Sequence, residues 1–283
     1  MKVLINLLKF IFITILTICL IALGAITIAS STVLDKNYVM QKLEETDFYS
    51  GTYKLVESNF ENYIYQSGLD EDVLKSICTE DKVKNDINIM LSNIYDGRNK
   101  TIDTKEISTN LNANIDKLGI KTKQNEKAIN EFVNHICKEY TDTLVHSKYE
   151  VQINNVYKKV INNLSKVYNA LLIVTVVDLI LILIINNKKV SKNLQDFGIA
   201  MMATSIFGLA GCQIVQAKVN IQGIKIFNDV FSNSLVTILQ DVFNKFTSLS
   251  VGMLVIAIVV VGIYVAIVVS KKTKENIETG REM

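Results

Sequence analysis

Four stretches of this 283-residue chain, 10–29, 168–185, 197–215 and 249–269, consist almost wholly of apolar and small residues, and Asp178 alone among them carries a formal charge. A bilayer hydrocarbon core of ~30 Å takes about 20 helical residues, with ~17 as a working minimum, and each stretch meets that length. In lipid every backbone N–H and C=O must be satisfied within the segment, so an isolated apolar stretch of this length has to be an α-helix. The chain contains no proline, so no helix is forced to lose a backbone donor and break. The runs predict an all-α integral membrane protein with four transmembrane helices.

Lysines orient the runs. Lys2 and Lys9 precede the first, Lys188, Lys189 and Lys192 fill the link between the second and third, and Lys271, Lys272 and Lys274 follow the fourth. Cytoplasmic segments carry the excess of Lys and Arg, so both termini are expected inside the cell. The expected order is a first span within 1–31, an extracytoplasmic region 32–167, a span 168–187 and a cytoplasmic loop 188–196. A third span 197–215, an extracytoplasmic amphipathic helix 216–248, a fourth span 249–270 and a cytoplasmic tail 271–283 complete it. Tyr168 suits the outer end of the second span, and Ala29, Ser30 and Ser31 after the first run would suit a signal-peptide cleavage site. A signal's apolar core is ~7–15 residues, shorter than this run, so an uncleaved anchor is the expectation and cleavage the alternative.

Region 32–167 is polar and reads as helices joined by short turns. Tyr53, Val56, Phe60 and Ile64 recur at helical spacing and Ser67-Gly68 ends that stretch. A short helix is expected over 70–77, and Thr79 is placed to cap the next, whose stripe is Val83, Ile87, Met90, Leu91 and Ile94, ended by Asp96-Gly97. Two more helices follow, one carrying Leu111, Ile115 and Leu118 up to Gly119, the other Ile129, Phe132, Ile136, Tyr140 and Leu144. Alternation from Tyr149 to Ile153 is the one strand-like patch. Val156, Val160, Asn163 or Leu164, and Val167 keep helical phase into the second span, and Ile224, Phe227, Phe231, Leu235, Ile238, Val242 and Phe246 do the same into the fourth. These predict amphipathic extensions of two membrane helices, packed on each other and on the outer region; a helix lying flat on the bilayer is the alternative for 224–246.

Few residues carry chemistry. A net charge of +2 does not describe a nucleic-acid surface. Cys78 and Cys137 lie in the region expected to be oxidising, where they form a disulfide or remain free thiols. His135, Glu139, Asp142 and His146 fall on one helical stripe, but a straight column does not surround an ion tetrahedrally, and no metal or other cofactor is expected. Small residues recur every fourth position at Ala200, Thr204, Gly208 and Cys212, beside Gly211, and again at Gly262, Ala266 and Ser270; such ladders let membrane helices approach closely, within one chain or between chains. Asp178 is the informative residue. A charge at mid-membrane costs ~2.5–3.5 kcal/mol or more, so it should face protein or water, and equal depth from the inner boundary matches it with Thr204 and Ser205. It is read as a neutral acid bonded to one of those hydroxyls, as an ion or proton site, or as a salt-bridge partner for another subunit.

The stretch from Ser67-Gly68-Leu69 to Asn93-Ile94-Tyr95-Asp96-Gly97, with the flanking apolar runs, resembles multi-pass membrane proteins of unassigned function from AT-rich Gram-positive bacteria. The resemblance implies a cell-membrane location and supplies no activity. Phosphate-loop, zinc-protease and serine-hydrolase motifs are missing from the sequence, so no enzyme is expected. The expected function is an ectodomain that binds a protein or envelope partner in assembly, scaffolding or sensing, with the lipid bilayer and a protein partner or a homo-oligomer as the expected associations. The competing expectation is a small channel or transporter subunit that uses Asp178.

Overall fold

A computed structural model describes residues 2–144, 147–226 and 228–279. The chain is all-α, 84% helical, with no strand among the described residues. In order, its helices are α1 (Lys2–Ser30), α2 (Lys36–Glu45), α3 (Phe48–Ser67), α4 (Glu80–Asp96), α5 (Lys105–Lys117), α6 (Glu126–Leu144), α7 (Ser147–Ile185), α8 (Val190–Lys218) and α9 (Asp229–Thr279). Four of them, α1, α7, α8 and α9, are long and apolar enough to cross a membrane. The fold divides into two compact units, one of residues 1–32, 162–224 and 239–283, the other of 33–161 and 225–238.

The polar unit is built from short capped helices around one apolar core. Asp35 caps α2 by accepting from the backbone N–H of Asn37 and Tyr38, and Thr79 caps α4 by accepting from that of Lys82. Each bond satisfies a donor the first helical turn would otherwise leave open. Gly68 and Gly97 stop α3 and α4 in the left-handed region, at φ 71° and 67°, which an L side chain resists. The packed stripes are Tyr49, Val56, Phe60 and Ile64 of α3, Val83 and Ile87 of α4, Ile107, Leu111 and Ile115 of α5, and Ile129, Val133, Ile136 and Tyr140 of α6. At the start of α9, Phe231 meets Phe48 edge-on at 6.3 Å and Ser234 Oγ lies 2.7 Å from Thr46 Oγ1.

Several local expectations change. The segment after Asp70 is a single 3-10 turn, Glu71–Leu74, because the Asp70 side chain takes the N–H of Asp72 and only Val73 is buried there. The alternating patch 149–153 is helical, inside α7. Between α8 and α9 the chain forms another short 3-10 turn, Ile221–Gly223, so the helix into the fourth run begins at Asp229 and leaves out Ile224; Phe227 lies outside the described residues. The Val156, Val160 and Val167 stripe of α7 is exposed, Val156 by 61%. In α6 the buried position is Val133, with Phe132 only half-buried.

The apolar unit is turned inside out relative to a water-soluble domain. Val3, Phe10, Ile18, Ile173, Val176, Ile206, Phe207, Val255 and Ile258 face outward, whereas Thr17, Thr175, Asp178, Asn186, Asn193, Asp196, Thr204, Ser205 and Ser250 are buried. Its packed centre is Leu16 of α1, Ile182 of α7 and Ala200 of α8. Glycines set the closest approaches: a Cβ on Gly208 would meet Ser250 Oγ at 2.5 Å and one on Gly198 would meet Val261 Cγ2 at 2.7 Å.

Candidate functional site

The buried face of α7 repeats as Thr175, Asp178 and Ile182, and Asn186, the first residue after the helix, continues it at the next four-residue step. These spacings keep four side chains on one helical face, and this face carries three polar groups and one apolar one. Ile182 belongs with Leu16 and Ala200 to one packed apolar cluster. The seam of α1, α7 and α8 is therefore polar on both sides of an apolar collar.

At the end of the seam nearest the α7–α8 turn, the polar groups are tied together. Asn186 Nδ2 donates to Asp196 Oδ2 at 2.6 Å and to Asn193 Oδ1 at 3.0 Å, and Lys9 Nζ stands 3.5 Å from the same Asp196 oxygen. The turn itself uses two left-handed residues, Asn187 at φ 52° and Lys188 at φ 57°, with the Lys188 N–H returning to the Leu183 carbonyl at 3.0 Å. This closes α7 by the 6→1 bond of a Schellman cap. Asn186 Oδ1 is buried without a hydrogen-bond partner.

On the other side of the collar lies Asp178, 3% exposed, with Oδ2 buried and unpartnered. The hydroxyls expected to bond it are engaged elsewhere. Thr204 Oγ1 donates to the Ala200 carbonyl at 2.8 Å, with a longer reach of 3.5 Å to the Thr17 carbonyl, and Ser205 Oγ donates to the Met201 carbonyl at 2.8 Å. Thr175 Oγ1 likewise donates to Leu171 O at 2.7 Å and Thr17 Oγ1 to Ile13 O at 2.8 Å. Each hydroxyl hydrogen is committed to its own helix backbone, the usual habit of Ser and Thr in apolar helices.

The small-residue ladder divides. Ala200 and Gly208 lie at buried contacts, whereas Gly211 and Gly262 face open space and Ala266 is exposed. The buried small residues of α9 are Ser250 and Ala257. Asn186, Asn193 and Asp196 escaped the sequence reading because polar residues beside lysines look like a solvated loop, and Ser250 and Ala257 because an evenly apolar run does not say which of its sides meets a neighbour.

The polar unit has its own buried acid. Asp86 Oδ2 accepts from Tyr140 Oη at 2.6 Å and from Lys82 Nζ at 3.1 Å. Burial first, then the Asp86 hydrogen bond, hold the Tyr140 phenol well above its ordinary range. Cys78 and Cys137 are free thiols. Burial pushes Cys78 up to about 11 and also raises Cys137, so both stay protonated near neutrality and neither is an activated nucleophile. A cavity of about 300 Å³ beside Cys78 is rimmed by Tyr53, Glu57, Glu61, Glu71, Asp72 and Lys75. His135 stacks on Tyr63 at 6.5 Å; His146 lies outside the described residues, and no cluster of three or more metal-ligating side chains occurs among them.

Comparison with protein-family models, curated proteins and solved structures finds no match for this chain.

Proposed function

We propose that this protein is embedded in the cell membrane by α1, α7, α8 and α9, with both termini cytoplasmic, and that residues 32–167 form an extracytoplasmic helical module that binds a protein or envelope partner. The observation carrying the membrane part is the inversion of the apolar unit, with Val, Ile, Leu and Phe outside and Thr, Ser, Asn and Asp inside. That arrangement lowers free energy in lipid and raises it in water. The lysine placement supports the orientation. The binding role is supported by a module that completes a core of its own, from Val56 to Tyr140, and exposes side chains as large as Tyr65.

The test is photo-crosslinking in intact cells from exposed positions such as Tyr65, Glu61 and Lys127, followed by recovery of the tagged full chain from native membranes. A discrete adduct whose yield depends on position is expected. Absence of any adduct, in cells that also tolerate a chain with a disrupted module, overturns the binding role.

A second reading, a small channel or transporter subunit, is favoured by one observation: the unpartnered, buried Asp178 carboxylate. Ion flux in reconstituted vesicles decides it. Wild-type conductance lost in Asp178→Asn supports this reading, and equal conductance, or none in either, eliminates it.

A further inference from the structure

Between α1 and α8 the apolar unit leaves a groove of about 760 Å³. Its lining includes the exposed side chains of Phe10 and Ile18 on α1 and of Ile199 and Phe207 on α8, with buried Thr17 and small Ala203 between them in sequence. The two helices approach closely beside it, where Thr17 Oγ1 reaches the Ala200 carbonyl at 3.5 Å and Thr204 Oγ1 the Thr17 carbonyl at 3.5 Å. On α8 the step from Ile199 through Ala203 to Phe207 puts a small side chain between two large ones on one helical face, which leaves a hollow there.

The groove is charged at one end only. Beyond Phe10 its polar lining is Thr14 and Thr17, and their hydroxyls donate to the carbonyls of Phe10 and Ile13 on their own helix, each at 2.8 Å. No donor is left over in that stretch. Its other end is lined by Asn6 and Lys9. Four and seven residues back from Ile199 on the same face of α8 stand Gln195 and Lys192, both exposed. Segments 1–31 and 186–200 hold five lysines and a single acid, Asp196, which meets Lys9 at 3.5 Å, so this end of the unit is cationic.

Length names the occupant. Phe10 to Ile21 covers about 16 Å at ~1.5 Å per helical residue, close to half of a ~30 Å hydrocarbon core. A partner's transmembrane helix would need a groove through the whole core, whereas the acyl chain of one leaflet needs half of it. Basic pockets between membrane helices on the cytoplasmic side suit phosphate-bearing head groups. We propose that the α1–α8 groove binds an anionic phospholipid, with an acyl chain along Ile13, Thr17 and Ala203 and the phosphate on Lys9 and Asn6. This rests on the membrane reading, and the cytoplasmic leaflet follows from the proposed orientation. Lys9 also faces Asp196, so the phosphate shares its ammonium group with the Asn186 cluster.

The experiment is thermal unfolding of the purified full chain in a neutral detergent, titrated with dioleoylphosphatidylglycerol or dioleoylphosphatidylcholine. The two share acyl chains and differ in head-group charge. A ligand that binds only the folded form raises the melting temperature by mass action. A saturable rise with phosphatidylglycerol is expected, and little rise with phosphatidylcholine. Lys9→Gln should move the phosphatidylglycerol midpoint about fivefold higher, and Ala203→Trp, which fills the groove, should remove the rise. Because either substitution can disturb packing, the wild-type chain is also labelled with phosphatidylglycerol carrying a photoreactive acyl chain. Adducts are expected within residues 10–21 and 199–207. Equal rises with the two lipids overturn the proposal. So does a rise retained in Ala203→Trp, an unmoved midpoint in Lys9→Gln, or adducts spread evenly over the outward faces of α7 and α9. A photo-crosslinker at Ile18 that captures a second copy or another protein in cells overturns it as well. Extraction of the chain from native membranes by alkaline carbonate overturns the membrane reading and this proposal together; a chain that resists extraction and shows no lipid selectivity overturns this proposal alone.

Discussion

Asp86 and Asp178 are both almost fully buried, and the chain treats them in opposite ways. Asp86 has Tyr140 and Lys82 as donors, so its charge is met within the fold. Removing the phenol in Tyr140→Phe takes away one of those donors, and a loss of ~1–3 kcal/mol is expected, read as a lower unfolding midpoint of the full chain. Tyrosines and a thiol of the same unit also set an alkaline limit. Burial lifts Cys78 from 9.0 to about 11, and Tyr49 and Tyr95 from 10.0 to about 12. In each case the folded form holds its proton more tightly than the unfolded form. The stabilisation is therefore complete below the unfolded values and is lost as pH rises through the folded ones. Unfolding free energy should be flat up to about pH 8 and fall between about pH 9 and 12, with a shallower fall in Tyr49→Phe. A flat profile through pH 12 contradicts it. The Lys82 pair is local, four residues along one helix, but the Tyr140 bond is not written near Asp86 in the sequence: the two lie 54 positions apart, and only the packing of α4 on α6 brings them to 2.6 Å.

Helix α8 shows what an element can and cannot announce. Its small residues at four-residue intervals are visible in the sequence, and Ala200 and Gly208 do lie at close contacts. Periodicity cannot say which of two ladders meets a neighbour. Gly208 has Ser250 Oγ 2.5 Å from where a Cβ would stand, whereas Gly262 has nothing within 4 Å. Gly208→Leu should therefore destabilise the chain by ~1–3 kcal/mol, the usual cost of overpacking, and Gly262→Leu should leave its thermal stability within about 0.5 kcal/mol. Equal effects of the two would show that this α8–α9 contact is wrong. The 70–77 segment makes a related point: an acidic start and apolar spacing look helical, but only Val73 and Ile77 are buried, too little packing to offset the entropy of ordering further turns.

At the scale of the whole molecule, the lysine pattern and the two units lead to one accessibility prediction. Single cysteines introduced into a variant without native cysteines, at Tyr65 and at Lys189, should react with a membrane-impermeant maleimide differently in intact cells. The first should label readily and the second only after the membrane is opened. Labelling of Lys189→Cys in intact cells reverses the proposed orientation. The sequence by itself determined that the chain is helical, where four apolar runs lie, and that one acid sits among them. These follow from local causes: absent proline, uncharged length and helical spacing act on neighbouring residues and need no partner. Tertiary structure alone decided which polar residues became interior. It drew Asn186, Asn193, Asp196 and Lys9 into one cluster, turned Gly208 inward and left Gly262 outside, and gave Asp86 the Tyr140 donor while leaving Asp178 Oδ2 with none. Hydrogen bonds and steric fit depend on distances between residues far apart in the chain, and those distances exist only once the helices have packed.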